Sequence, residues 1–167
     1  VGGGIRSLNV ALRQELDLLQ RYIDIQKIRF AGRFEYVVEI PRDLLDCVVP
    51  KLILQPLVEN AILHGLNARD SGVVYIYAYR DEETLTIAVT DDGCGMPPEM
   101  VERVNSPRPK ILEGHLGLYN ISTILHLHYG GAYGLHATSC PGVGTTVTVR
   151  LPVQKEEPNA QSGTCGG

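Results

Sequence analysis

A two-layer α/β sandwich is the fold this sequence predicts: a mixed, largely antiparallel sheet with helices on one face, preceded by a long N-terminal helix. Three observations carry that prediction. Residues 73–91 and 133–151 each read as two strand-like runs joined by a turn, which builds antiparallel neighbours. Three segments place apolar residues three and four apart, the period of a helix that buries one stripe. The elements follow in the order helix, strand, helix, hairpin, loop, helix, hairpin, which is not the β-α alternation of a doubly wound sheet. With 167 residues, 44% of them hydrophobic and 20% charged, the chain can enclose one core, and wholesale disorder is excluded. The net charge is −4 and no basic excess exists, so nucleic acid is a poor default partner.

The first helix is predicted over residues 5–30. Ile5, Leu8, Leu12, Leu16, Leu19 and Ile23 form its main stripe, and Leu18, Tyr22 and Ile25 a weaker second one. Two uses of the stripe stand open: packing on the chain's own domain, or a coiled-coil-like seam with a second helix or subunit. Ala31-Gly32-Arg33 stops the helix, and Phe34–Ile40 reads as a strand ended by Pro41. Pro50 then opens a helical region in which Leu54, Leu57, Val58, Ala61 and Ile62 share a face, with Pro56 early enough to be tolerated and Gly65 near the end.

Val73–Arg80 and Thr84–Asp91 form the first hairpin around Asp81-Glu82-Glu83. Residues 92–115 are rich in Gly, Pro and charge. They read as a long loop with a short helix near Glu99–Val104, and loops of that length are usually functional. Leu116–Tyr129 is helical, with Leu118, Ile121, Leu125 and Tyr129 on its apolar face. Tyr133–Thr138 and Thr145–Leu151 make the second hairpin around Pro141-Gly142-Val143-Gly144, and a small, polar tail follows. No apolar run spans a bilayer, and residues 1–7 do not read as a secretory leader. Cys47, Cys94, Cys140 and Cys165 form no C-x-x-C pair, so neither a metal-ligand spacing nor a disulfide framework is predicted.

Several residues carry chemistry. Asp91 keeps the parity of Leu85, Ile87 and Val89 and therefore points where those apolar side chains point. A carboxylate there needs a donor, either a structural backbone N–H or a ligand such as an exocyclic amine. Gly93 and Gly95 follow at once, a turn that lets a flat ligand approach the backbone, with Met96 beside it. Glu59 and Asn60 lie off their helix's apolar stripe, with His64 one turn on. They are either a solvated rim, or a general base, a Mg²⁺ ligand and a phosphate contact. Gly114-His115-Leu116-Gly117-Leu118 runs a glycine pair into a helix, whose first N–H groups suit a phosphate. Gly142-Val143-Gly144-Thr145 is a third glycine turn. Together these would build one nucleotide pocket.

Leu54-Gln55-Pro56-Leu57-Val58-Glu59-Asn60-Ala61-Ile62-Leu63-His64-Gly65 resembles the N box of sensor histidine kinases of the LytS/YesM type. Asp91–Gly95 resembles their G1 box, Gly114–Asn120 their G2 region, and Gly142–Leu151 their closing strand; Tyr22–Phe30 fits the segment before the catalytic domain. The resemblance covers residues 8–153 and implies a Bergerat (GHKL) ATP-binding fold with an ATP lid over 96–115.

It implies ATP and Mg²⁺ as cofactors, Asn60 as the metal ligand and Glu59 as the acid acting in phosphoryl transfer. Asp91 would bind the adenine amino group, Gly93, Gly95 and Met96 would shape the base pocket, and Gly114, His115, Leu116, Gly117 and Leu118 would flank the phosphates. Thr145 or Thr146 would lie near the adenine. Leu63 and Ile124 depart from the family's basic residues, which leaves His64, Arg108, Lys110 and His115 to meet phosphate charge.

The five histidines lie within or after these boxes, so the phosphoacceptor is expected on a helix outside this chain. The expected division is 1–30 as the end of a dimerisation and phosphoacceptor helix, 31–153 as the ATP-binding domain, and 154–167 as a disordered tail. The resemblance further implies a homodimer, a response-regulator partner, and a cytoplasmic position with any membrane segment outside the chain. Protein serine kinases and ATPases use the same fold, and a dimerising module without nucleotide is the reading from another class.

Overall fold

A computed structural model describes residues 9–66, 71–107 and 116–155. The elements run β1 (Asn9–Ala11), α1 (Leu12–Arg29), β2 (Phe34–Glu39), a 3₁₀ turn (Arg42–Leu44) and β3 (Val48–Pro50). Then come α2 (Gln55–Asn60) with a π-helical turn (Ala61–Gly65), β4 (Gly72–Asp81), β5 (Thr84–Asp91) and α3 (Pro98–Val104). Last are α4 (Leu116–Tyr129), β6 (Gly134–Cys140) and β7 (Gly144–Pro152). Five strands form one sheet in the order β2-β4-β5-β7-β6. Only β2 and β4 are parallel within it, and the long crossover through α2 is what parallel neighbours require. The expected α/β sandwich, with its mixed sheet and N-terminal helix, is what the chain forms.

Alternation along the strands sorts the sheet into two faces. Val74, Ile76 and Ala78 of β4, Leu85, Ile87 and Val89 of β5, and Val147, Val149 and Leu151 of β7 are buried under the helices. The other face carries Tyr75, Tyr77 and Tyr79, whose rings follow one another at 5.5 and 6.5 Å. β4 and β5 are joined by a two-residue loop in which Glu82 takes φ 54°, the left-handed conformation such tight hairpins demand.

The N-terminal helix starts later than its pattern predicts. Asn9–Ala11 is a strand, paired antiparallel with Val48–Pro50. Neither partner has more than three residues, and Pro50 lies in a strand rather than opening a helix. α1 then starts without a side-chain oxygen on its N-cap residue, Ala11. The N–H groups of Leu12 and Arg13 donate to the carbonyls of Cys47 and Leu45, and the Ala11 N–H donates to Gln14 Oε1 at 3.0 Å. Leu12, Leu19 and Ile23 are fully buried in the common core, so this stripe is spent within the chain.

Between Leu12 and Leu19 the buried position of α1 is Glu15 rather than Leu16, and Gln26 is buried beyond Ile23. Glu15 Oε1 accepts the Ile53 N–H at 2.9 Å, and its second oxygen is buried with no partner among the described residues. Burying a carboxylate costs free energy, so the bond to Ile53 ties α1 to the segment leading into α2. Ile25 and Ile28 stay exposed, Ile28 at 83%. Cys47 is buried, Cys94 and Cys140 are exposed, and none of the three is in a disulfide. Among the described residues no helix is long and apolar enough to cross a membrane. The helix expectation for Ile5 and Leu8, the lid residues 108–115, and the tail from 156 with Cys165 lie outside the described residues.

Candidate functional site

The site is built where β5 ends against the π-helical turn that follows α2. Asp91 is the last residue of β5, and the row that runs across the sheet at its level is Val74, Asp91, Thr145, Ser139. All four point to the helix-covered face, because pairing partners share a side of the pleat. Asp91 is 7% exposed and Thr145 5%. Asp91 Oδ1 accepts the Gly93 N–H at 2.9 Å, so the first residues after the strand fold back on the carboxylate itself. The backbone partner and the ligand partner foreseen for this group are therefore compatible: a carboxylate has several acceptor sites, and one bond to Gly93 does not exhaust them.

The glycine turn is pressed against the β6–β7 hairpin. The Gly142 N–H donates to Cys94 O at 2.8 Å. At Gly95, φ is 88° and a Cβ would stand 2.8 Å from Cys140 O, so no side chain fits there. Met96 is buried, and its N–H donates to Ser139 Oγ at 2.7 Å. On the other side, Cys94 Sγ donates to His64 O at 3.2 Å, which joins the turn to the end of the α2 region. Asp92 Oδ1 accepts the Val73 N–H at 2.9 Å and ties the turn to the start of β4.

α2 supplies the acidic and amide groups. Pro56 sits in its first turn, where a missing N–H removes nothing. Asn60 is buried and Glu59 half-buried, one residue apart at the wall of the site. Gln55 Nε2 donates to Glu59 Oε1 at 3.0 Å, an i,i+4 contact that fixes the carboxylate's orientation. Tyr22 of α1 feels this group: burial first, and the Glu59 charge second, push its hydroxyl up to about 12. After Asn60 the helix widens, the Leu66 N–H reaching back five residues to Ala61 O, and His64 is exposed on that wider turn. Among the described residues no cluster of three His, Cys, Asp or Glu exists that would cage a metal. Asn60 instead offers one hard oxygen, the small share a protein gives Mg²⁺ when phosphates and water supply the rest.

The glycine-to-helix segment enters at α4. A Cβ on Gly117 would stand 3.0 Å from Pro56 Cβ, so this glycine lets α4 close onto α2. The Leu118 side chain is buried in the core, so only its backbone is on offer to a phosphate. Gly114 and His115, with Arg108 and Lys110, lie outside the described residues, and of Leu116 only the helical backbone is described. Leu63 and Ile124 are both partly exposed.

The two threonines lie on opposite faces of the sheet. Thr145 shares the face of Asp91, whereas Thr146 points to the opposite face and meets Thr90, hydroxyl to hydroxyl at 2.6 Å. Two further residues enter that residue typing did not single out. Gln55 was findable from its i,i+4 spacing to Glu59. Ser139 carries no local signal and emerges only from the register of β6 against β7.

The histidine kinase-, DNA gyrase B- and HSP90-like ATPase family model matches residues 47–155. The chain is 31% identical over 148 residues to the sensor histidine kinase YesM of Bacillus subtilis, covering 88% of this chain and 24% of that protein. It thus spans about a quarter of that curated relative's length. The fold is similar to the nucleotide-free catalytic domain of histidine kinase ThkA, with a TM-score of 0.67 at 18% identity, covering 89% of this chain and 97% of that one. It is also similar to ThkA in complex with the response regulator TrrA, at TM-score 0.61 and 17% identity over 90% of this chain and 42% of that one.

Proposed function

The chain belongs to the histidine kinase-, DNA gyrase B- and HSP90-like ATPase family, and from that premise we propose that it is the ATP-binding catalytic domain of a two-component sensor histidine kinase. The observation that carries the proposal is the row Asp91–Thr145, two buried polar side chains at the end of the sheet, beside a glycine turn that folds back onto the Asp91 carboxylate. Buried polar groups are retained where something donates to them. Adenine's amino group suits a carboxylate in that place.

In the proposed reaction the γ-phosphoryl of ATP passes to a histidine nitrogen on a dimerisation helix outside residues 1–167, leaving ADP. Catalysis of phosphoryl transfer is mostly positioning and charge stabilisation. Asn60 provides a side-chain oxygen that fits Mg²⁺, which when bound would neutralise phosphate charge. Glu59, held by Gln55, stands as the group that orients the acceptor imidazole and takes its proton. On the same reading the full protein would be a homodimer anchored in a membrane through segments outside this chain, with these residues on the cytoplasmic side. ThkA's complex with TrrA supports a response regulator as the downstream partner.

The test is a titration with a non-hydrolysable ATP analogue, with and without Mg²⁺, paired with Glu59→Gln. The parent should bind nucleotide in a Mg²⁺-dependent way. Glu59→Gln should bind it within about threefold, since the substitution is isosteric, yet lose at least about a hundredfold in transfer to a supplied acceptor helix. Absence of binding by the parent at millimolar analogue would overturn the proposal.

A further inference from the structure

We propose that Ser139 is a positioning residue that sets the hydrogen-bond polarity of the base subsite, and with it the preference for a 6-aminopurine over a 6-oxopurine nucleotide, without touching the ligand. The inference rests on the reading of Asp91 and Thr145 as the base contact.

Ser139 Oγ makes three contacts. The Met96 N–H donates to it at 2.7 Å, Gly144 O lies at 3.1 Å, and Thr145 Oγ1 lies at 3.0 Å. A serine hydroxyl has one proton and accepts two bonds. Two of the three partners have fixed polarity, because an amide N–H only donates and a carbonyl oxygen only accepts. Only one assignment satisfies all three: Ser139 donates to Gly144 O and accepts from both Met96 and Thr145. The Thr145 proton is therefore committed to Ser139, and what Thr145 offers elsewhere is lone pairs.

The consequence reaches the ligand. Asp91, next to Thr145 in the same row, is a carboxylate and only accepts. With Thr145 oriented by Ser139, the buried end of the row is acceptor throughout. The 6-amino group of adenine donates twice and matches it. A 6-oxo group brings a third acceptor into a buried place, where an unmatched polar atom is expensive. If Thr145 were free to rotate, its hydroxyl could donate to that oxygen and soften the discrimination. Ser139 removes that freedom from the far side, on the edge strand β6.

The experiment compares binding of ATP and inosine triphosphate, which differ at positions 1 and 6 of the base, by titration calorimetry on the whole chain. Ser139→Ala should bind both, with the ATP-over-ITP preference reduced about three- to tenfold, the span one hydrogen bond's net worth allows. Ser139→Thr keeps the hydroxyl and should keep the parent's preference. An unchanged ratio in Ser139→Ala, with both nucleotides weakened alike, would make Ser139 a packing residue and overturn the inference. Should the alanine variant not fold, Ser139→Cys gives the same readout, being close in volume and weak as donor and acceptor. A parent that binds neither nucleotide defeats the underlying reading of the site, and the inference with it. A parent that binds ATP while Ser139→Ala leaves its preference intact defeats the inference alone.

Discussion

Replacing Asp91 with Asn changes almost nothing in shape and reverses one polarity. The carboxylate is 7% exposed, and its Oδ1 accepts the Gly93 N–H at 2.9 Å. An Asn in the same rotamer can keep that bond through its own oxygen. Its other end is then an NH₂ group, a donor facing the donor of an adenine amine. The loss has two parts: a hydrogen bond to a charged acceptor, about 1.5–3 kcal/mol, and a buried donor left unmatched, about 1–3 kcal/mol. Together they come to about 2.5–6 kcal/mol, or about two to four powers of ten in Kd. Because the Gly93 bond survives, Tm should move by less than about 4 °C, the shift that roughly 1 kcal/mol produces in a domain of this size. Calorimetric titration with an ATP analogue and a thermal melt read both quantities on the same sample. Binding within about threefold of the parent would refute the assignment of Asp91 to the base. Binding lost together with cooperative unfolding would show that the carboxylate serves the turn alone.

Two predictions concern stability. At Gly144 φ is 148°, and a Cβ would collide with the Asp91 carbonyl oxygen, backbone against backbone. Gly144→Ala should cost more than about 3 kcal/mol in a denaturant melt. Gly130→Ala, with φ 85° and nothing within 4 Å, should cost only the conformational strain, about 1–3 kcal/mol. Equal losses would refute the steric account. The second concerns alkaline pH. The Tyr22 hydroxyl is pushed up to about 12 by burial and then by the Glu59 charge, while the unfolded chain titrates near 10. A raised folded value means the fold holds the proton more tightly, so this contribution is constant below pH 10 and falls as pH rises toward 12. Burial pushes Tyr36 and Tyr129 the same way. Tyr22→Phe should flatten part of that fall in urea melts between pH 9 and 12, and an unchanged slope would count against it.

Much of the site is local and therefore legible without a structure. The parity of Leu85, Ile87, Val89 and Asp91 settles which way Asp91 points, because a strand alternates sides at every residue. The run from Leu54 to Gly65 announces its helix through apolar spacing, and Glu59 and Asn60 fall off that stripe by the same arithmetic. Both hairpins show as paired strand runs around turns, and two antiparallel pairs are enough to set the class of the sheet.

What the tertiary structure decided is everything that depends on which distant segment comes alongside. Asn9–Ala11 is a strand only because Val48–Pro50 lies beside it, almost 40 residues on, and three residues are too few to leave a period. Glu15 replaces Leu16 in the buried stripe because the Ile53 N–H is there to receive it. Thr145 rather than Thr146 shares the Asp91 face because β7 registers against β5 at that residue and not the next. Ser139 joins the row because a turn of three residues, Pro141 to Val143, sets Cys140 opposite Gly144. Periodicity is a property of one segment and survives in the sequence. Register and donor pairing belong to two segments at once, and a one-residue slip would turn every side chain of the strand to the other face.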